Sequence, residues 1–209
     1  MKNVLITQRL VRIHDINEIR NALDIRWQKL LLQMDLFPIP VPVNIDMKLY
    51  DRFEISGIIL TGGNDLSSQS QNELSLIRDK HEMKCIDYAL RRSIPIFGVC
   101  RGLQLIAEYF GSTFKKIDNH VAERHKLRVI NESKYSKQIE NIESVNSYHN
   151  YAIDIPGDEL VVVAICPHDN VIEAITHKNH KIYAQMWHPE REKRLDVYNH
   201  QIISSLFHA

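Results

Sequence analysis

The chain has 209 residues, of which 44% are hydrophobic, enough for one domain with a substantial buried core. Lys plus Arg and Asp plus Glu number 26 each, so the formal net charge is zero and no global basic field draws the protein to nucleic acid or anionic lipid. No apolar run approaches the roughly 18 residues of a membrane span, and the first residues, MKNVLITQRLVRIHD, lack the apolar stretch and cleavage site of a secretory signal. Three scattered cysteines, Cys85, Cys100 and Cys166, make no disulfide framework and point to the cytoplasm.

Taken in chain order, Asn3–Thr7 reads as a buried strand. Asp15–Met34 carries Ile16, Ile19, Leu23, Trp27, Leu30, Leu31 and Met34 at helical spacing, with Asp15 or Asn17 as cap. Phe37–Val43 is a strand whose prolines suit an edge. Ile55–Leu60 is a second buried strand, ending at Thr61-Gly62-Gly63. Leu74–Arg92 is helical, Pro95–Val99 a third strand, and Arg101–Phe110 a helix closed by Gly111. Strands follow at His125–Ile130, Glu159–Ile165, Val171–Ile175 and Ile182–Met186, then a last helix from about Leu195 to Phe207. The pattern predicts a single α/β domain over 1–209. Its doubly wound sheet is mostly parallel, with added antiparallel strands in the C-terminal half. Such sheets hold their ligand sites at the carboxyl ends of the strands, where Gly62-Gly63 and Cys100 both fall.

Cys100 lies in Gly98-Val99-Cys100-Arg101-Gly102, between a strand and a helix. This is the thiol form of a nucleophile elbow. The following helix points its N-terminus at the sulfur and favours the thiolate, and the Arg101 amide is placed for an oxyanion. Such a thiol needs a base. Trp187-His188-Pro189-Glu190 follows a strand, which brings His188 to the same rim, with Glu190 able to orient the ring. The Gly62-Gly63 turn supplies a second oxyanion amide, from Gly63.

Together GVCRGLQLIAEYFG, MWHPE and ILTGG resemble the class I glutamine amidotransferases, whose sheet is flavodoxin-like. Arg101 after the cysteine and Val145-Asn146-Ser147-Tyr148-His149 are similar to the γ-glutamyl-γ-aminobutyrate hydrolase branch, with greatest likeness to members acting on a γ-glutamyl nucleotide amidate in capsule modification. The resemblance implies that Cys100 attacks a γ-carbonyl, with His188 moving protons and Glu190 orienting it. Gly62, Gln104, Tyr148, His149, Asn150 and Tyr151 would line the glutamyl pocket. Asn64 stands where the family often has Pro, and Asn150-Tyr151 where a Gln often follows, both on the leaving-group side. A nucleotide leaving group would call for cations, with Arg9, Arg12 and Arg101 as candidates. No cofactor is implied, and no synthetase partner. Association with a second copy is left open.

Eleven histidines raise the question of a metal. His120, His125, His168, His177, His180 and His200 show no helical H-x-x-x-H pair and no cysteine at zinc spacing, so none is expected. His177-Lys178-Asn179-His180 reads as a turn between strands. Three other readings are a hydrolase of another γ-glutamyl amine such as γ-glutamyl-γ-aminobutyrate, a glutaminase subunit feeding ammonia to a synthetase, and a non-catalytic binding module of the same fold.

Overall fold

A computed structural model describes residues 1–193 and 196–208. The main sheet is built on short apolar runs. β1 (Lys2–Thr7), β5 (Ile55–Leu60) and β6 (Ile96–Val99) are apolar through their buried centres, residues 4–6, 57–60 and 96–99, as strands covered on both faces require. Successive residues alternate between layers: Val4 and Ile6 pack on one side of the sheet, Leu5 on the other.

The sheet runs β4 (Leu36–Val41), β1, β5, β6, β14 (Ile182–Gln185), β13 (Ile172–His177), β12 (Leu160–Ile165), β9 (Arg128–Val129). The first five are parallel and the last three antiparallel. β4 is an edge strand and places Pro38 and Pro40 opposite Val4 and Ile6, where a missing N–H costs least. α1 (Ile25–Gln33), α4 (Ser136–Glu140) and α5 (Val197–Phe207) bury Trp27, Leu31, Ile139 and Phe207 on one face. α2 (Glu73–Arg92) and α3 (Arg101–Tyr109) cover the other with Cys85, Ile86, Leu103 and Ile106. The doubly wound architecture is therefore as the sequence predicts.

The expected helix over Asp15–Met34 is half wrong. Its first part forms a hairpin, β2 (Arg9–Ile13) with β3 (Glu18–Ala22), turned by Asn17 in the left-handed region at φ 51°. Asn tolerates that conformation, and Ile16 and Ile19 stay exposed instead of marking a core face. The helix starts only at Ile25, capped by Asp24, whose carboxylate accepts from the Arg26 amide. The expected strand His125–Ile130 also divides. β8 (Val121–His125) pairs with β10 (Val145–Tyr148), whereas β9 joins the main sheet against Ile165. A further ribbon, β7 (Phe114–Lys116) with β11 (Tyr151–Ile153), gives no hydrophobic signal strong enough to read. The last helix begins at Val197 with Asp196 as cap; Leu195, its expected first residue, lies outside the described residues.

The cap assignment is testable. Asp24→Ala should cost about 1 kcal/mol in urea unfolding. Asp15→Ala, at the start expected from spacing, should change stability by less than about 0.5 kcal/mol. The reverse order would restore the longer helix.

Candidate active site

Three loops meet at the carboxyl ends of neighbouring parallel strands: Thr61–Asn64 after β5, Cys100 after β6, and Met186–Glu190 after β14. Cys100 has φ 54° and ψ −107°, a strained conformation for a residue with a Cβ, which turns its side chain out of the strand and away from α3. Its amide donates to the Gln185 carbonyl at 2.8 Å, which locks the elbow to β14. The elbow also requires Gly102, since a methyl there would collide with the Leu60 carbonyl.

His188 and Glu190 are both buried, and His188 Nδ1 lies 2.6 Å from Glu190 Oε1. The carboxylate only accepts, so Nδ1 carries the proton and Nε2 is left for the sulfur. Nε2 makes no hydrogen bond among the described residues. Burial would raise the Cys100 thiol, but the charge of the neighbouring His188 outweighs it and holds the thiol below its ordinary value. Burial would likewise lower His188, but Cys100 and Glu190 push it up to about 9. The two shifts describe one thiolate–imidazolium pair. Gly62 fits beside it only without a side chain: a methyl would lie 2.7 Å from His188 Cε1 and 3.6 Å from Cys100 Cβ.

Asn146 carries no role in the sequence reading, yet it fixes His188. Its side-chain carbonyl accepts from the His188 amide at 2.9 Å and its amide donates to the His188 carbonyl at 2.9 Å. Trp187, fully buried, donates to Asn199 of α5 at 2.8 Å and anchors the same loop from behind.

The Thr61–Gly63 loop, the candidate oxyanion loop, has a guanidinium for a floor. Arg78 of α2 donates to the carbonyls of Thr61, Gly62 and Gly63, so the Gly62 and Gly63 amides can face the opposite way, while the Thr61 amide donates to the Thr7 hydroxyl. Arg78 also pairs with Glu82, and Glu82 pairs with Arg101, which in turn pairs with Asp79. All four are buried. The Arg101 side chain therefore points into α2 and is no cation for a leaving group, a correction to the sequence reading. Its backbone amide stays at the start of α3. In the sequence Arg78, Asp79 and Glu82 belong only to a predicted helix. Their spacing at i, i+1 and i+4 carries no signal that one face of an apolar-striped helix would bury charge.

The remaining candidates divide. Gln104 is buried and donates to the Tyr151 carbonyl at 2.9 Å, and His149 Nδ1 reaches the same oxygen at 3.1 Å. Tyr148 is exposed, its ring 6.0 Å from His188 with the Arg191 guanidinium stacked 4.6 Å away. The Tyr151 hydroxyl donates to the Gln69 carbonyl, and Asn150 is an exposed turn residue whose carbonyl accepts from Ile117. Asn64 is committed elsewhere: its side chain clamps both backbone groups of Leu10 and accepts from Arg78. It holds the β2–β3 hairpin against the oxyanion loop. Arg12 pairs with Glu73 and faces a separate hollow of about 520 Å³ with His14 and Gln71. Arg9 lies across Gly63 and lines a narrow cleft with Gly62, His188 and Arg191. A wider hollow of about 540 Å³ adjoins Glu190, with Arg26, Lys29 and Lys193 on its walls.

Two outcomes test this geometry. Glu82→Ala removes the carboxylate that two buried guanidinium groups share, leaves one buried positive charge uncompensated and should cost about 3–5 kcal/mol in denaturant unfolding. The pH profile of hydrolysis should be bell-shaped, its acid limb below the usual thiol range and its alkaline limb near pH 9, where His188 loses its proton. Glu190→Gln removes the charge that stabilises the imidazolium, so the alkaline limb should move to lower pH. An unmoved limb would show that Glu190 does not act on His188.

The Peptidase C26 family profile matches residues 6–190. The gamma-glutamyl-CDP-amidate hydrolase of Campylobacter jejuni is 40% identical over 206 residues, covering 97% of this chain and 96% of that protein. Among solved structures, a GMP synthase-type protein of Thermoplasma acidophilum superposes with a TM-score of 0.72 at 20% identity, over 99% of this chain and 92% of that one. A glutamine amidotransferase of Thermotoga maritima gives 0.66 at 16% identity, over 90% and 76%. At those identities the two structures speak for the fold, while the profile match and the relative aligned over nearly its full length speak for descent: this chain belongs to the Peptidase C26 family of class I glutamine amidotransferase-like hydrolases.

Proposed function

We propose that the chain hydrolyses a γ-glutamyl amide through a glutamyl thioester on Cys100, and that its substrate is γ-glutamyl-CDP-amidate, giving glutamate and cytidine diphosphoramidate. The Cys100 thiolate attacks the γ-carbonyl, and the amides of Gly63 and Arg101 receive the developing oxyanion. The His188 imidazolium protonates the departing nitrogen, and neutral His188 then draws a proton from water for deacylation. Glu190 holds the ring throughout. Gln104, His149 and Tyr151 form the glutamyl end of the pocket.

The observation that carries the substrate assignment is Arg9, whose guanidinium crosses the oxyanion loop and lines the cleft beside His188 together with Arg191. A diphosphate leaving from the γ-carbonyl would meet these groups first, and charge-assisted bonds would hold it. Arg26, Lys29 and Lys193 extend the basic surface outward. The nearly full-length relationship to a γ-glutamyl-CDP-amidate hydrolase supports the same reading. Tyr148 and Arg191, stacked on each other at the rim, offer a surface for a base or ribose. The chain acts as one hydrolase domain, without a synthetase. Its three cysteines are free thiols and no described helix is long and apolar enough to cross a membrane, which suits a cytoplasmic reaction in capsule modification.

The test is kcat/KM for γ-glutamyl-CDP-amidate and for glutamine on one preparation. The nucleotide amidate should be strongly preferred, since glutamine lacks the remote binding energy. Arg9→Gln should lose about 1.5–3 kcal/mol of that preference while leaving the glutamine rate nearly unchanged. Arg12→Gln should stay within about twofold on both, as expected for an exposed ion pair outside the cleft. Equal values for the two substrates, or activity appearing only with an added synthetase, would favour a glutaminase subunit instead.

A further inference from the structure

Behind the loop that carries Tyr148 and His149, three histidines converge on one buried carboxylate. Glu173 of β13 is fully buried. Its Oε1 lies 3.5 Å from His120 Nδ1, 3.3 Å from His125 Nε2 and 3.5 Å from His149 Nε2. In each ring the opposite nitrogen already has an acceptor. His120 Nε2 lies 2.9 Å from Asp169, His125 Nδ1 3.1 Å from the Lys126 carbonyl, and His149 Nδ1 3.1 Å from the Tyr151 carbonyl. Carboxylate and carbonyl oxygens only accept, so those outer nitrogens carry the protons, and in neutral rings the inner nitrogens are bare lone pairs. Ser147 Oγ, 3.1 Å from His120 Nδ1, has the His120 carbonyl as its own acceptor at 2.9 Å.

Three lone pairs and a carboxylate thus face one another away from water. Neither Glu173 oxygen, nor the inner nitrogen of His125 or His149, has a hydrogen-bond partner among the described residues. Acceptors held dry against each other cost free energy until a cation sits between them. Protons are one answer. Burial would lower His125 and His149, but the adjacent Glu173 carboxylate outweighs it and leaves both raised. That answer places two imidazolium ions on one carboxylate. A single divalent ion satisfies His120, His149 and Glu173 with the neutral tautomers already set by their outer partners, and leaves only His125 to be met by a proton.

We propose that His120, His149 and Glu173 form a binding site for a divalent transition-metal ion of the zinc class, with Asp169 and His125 supporting it. The three ligand atoms lie within 4.8 Å of one another. The 3.5 Å separations from Glu173 to the two histidines are close to the edge of about 3.3 Å that a tetrahedral ion with bonds of about 2.0–2.1 Å demands. Two imidazoles and one carboxylate suit Zn²⁺ and its first-row neighbours. Asp169 behind His120 and the Tyr151 carbonyl behind His149 are the outer partners that orient such ligands. No sequence signal announces the site, because the ligands stand at 120, 149 and 173 in separate strands and turns and match no short spacing. Bound there, the ion ties the His149 turn to β13 and steadies the Tyr151 carbonyl that Gln104 bonds. Its role is to hold the pocket wall, and no step of the hydrolysis runs through it.

The experiment uses the full chain with Cys100→Ser, so that the candidate nucleophile offers no thiolate. The protein is stripped with chelator, then dialysed against Zn²⁺ or Co²⁺ alone. One ion per chain should be retained through gel filtration, with a rise in Tm. The Co²⁺ form should show tetrahedral d–d absorption without a sulfur-to-cobalt charge-transfer band. Glu173→Gln and His120→Asn, each in the Cys100→Ser background, should weaken retention by more than about tenfold, the lower end of what even an outer-shell change costs. A charge-transfer band would put the ion on Cys166, which groups with His120 and Asp169, and would overturn the assignment. Failure of the Cys100→Ser protein to retain an ion would overturn it as well, as would retention by folded variants at undiminished affinity. If neither variant folds, stoichiometry and the Co²⁺ spectrum of the Cys100→Ser protein decide alone.

Discussion

Arg78 and Arg101 are buried behind the site and share the Glu82 carboxylate, and that shared charge sets how two of the three site loops stand to each other. Arg78 gathers the carbonyls of the Thr61–Gly63 loop, while Arg101 is the residue after Cys100. Glu82 cannot be lost without leaving one positive charge uncompensated in a dry interior, since Asp79 alone faces the two guanidinium groups' charge. Burial would raise its carboxyl, but the two arginines outweigh that and hold it ionised. An apolar replacement of this lattice would pack α2 against the sheet equally well. It would leave the Thr61–Gly63 carbonyls without donors and the loop free to turn its amides elsewhere.

The rest of the site follows from strand order. β5, β6 and β14 are adjacent and parallel, so their carboxyl ends deliver the oxyanion loop, the thiol and the imidazole to one rim about two strand spacings wide, near 10 Å. Fine positioning then depends on backbone clamps. The Cys100 amide is bonded to Gln185, and Asn146 grips both backbone groups of His188. The candidate catalytic side chains are thus held by groups to which no chemical role is proposed.

Much of this is legible in the sequence because it is local. A buried apolar run followed by Gly-Gly, an elbow cysteine between glycines, and His-Pro-Glu after a strand each carry their chemistry within a few residues. What the sequence hides depends on partners distant in the chain. Asn64 looks like a turn residue until Leu10 comes to lie against it. Arg101 looks like a cation for substrate until α2 presents Asp79 and Glu82. The β2–β3 hairpin imitates a helix because Ile16 and Ile19 fall in helical register with Leu23 and Trp27, although both remain exposed. The convergence of His120, His125 and His149 on Glu173 is likewise a product of tertiary structure, invisible to any spacing rule.

Every proposed step depends on Cys100 as the covalent nucleophile, poised by His188 and positioned by the lattice beneath it. The most direct measurement is mass spectrometry of protein quenched in acid during turnover of γ-glutamyl-CDP-amidate. One glutamyl group should appear in thioester linkage on the peptide containing Cys100, released by hydroxylamine and absent from the Cys100→Ala protein. Glutamate release at an undiminished rate by Cys100→Ala, or a glutamyl adduct on Cys85 or Cys166 with Cys100 unmodified, would contradict it.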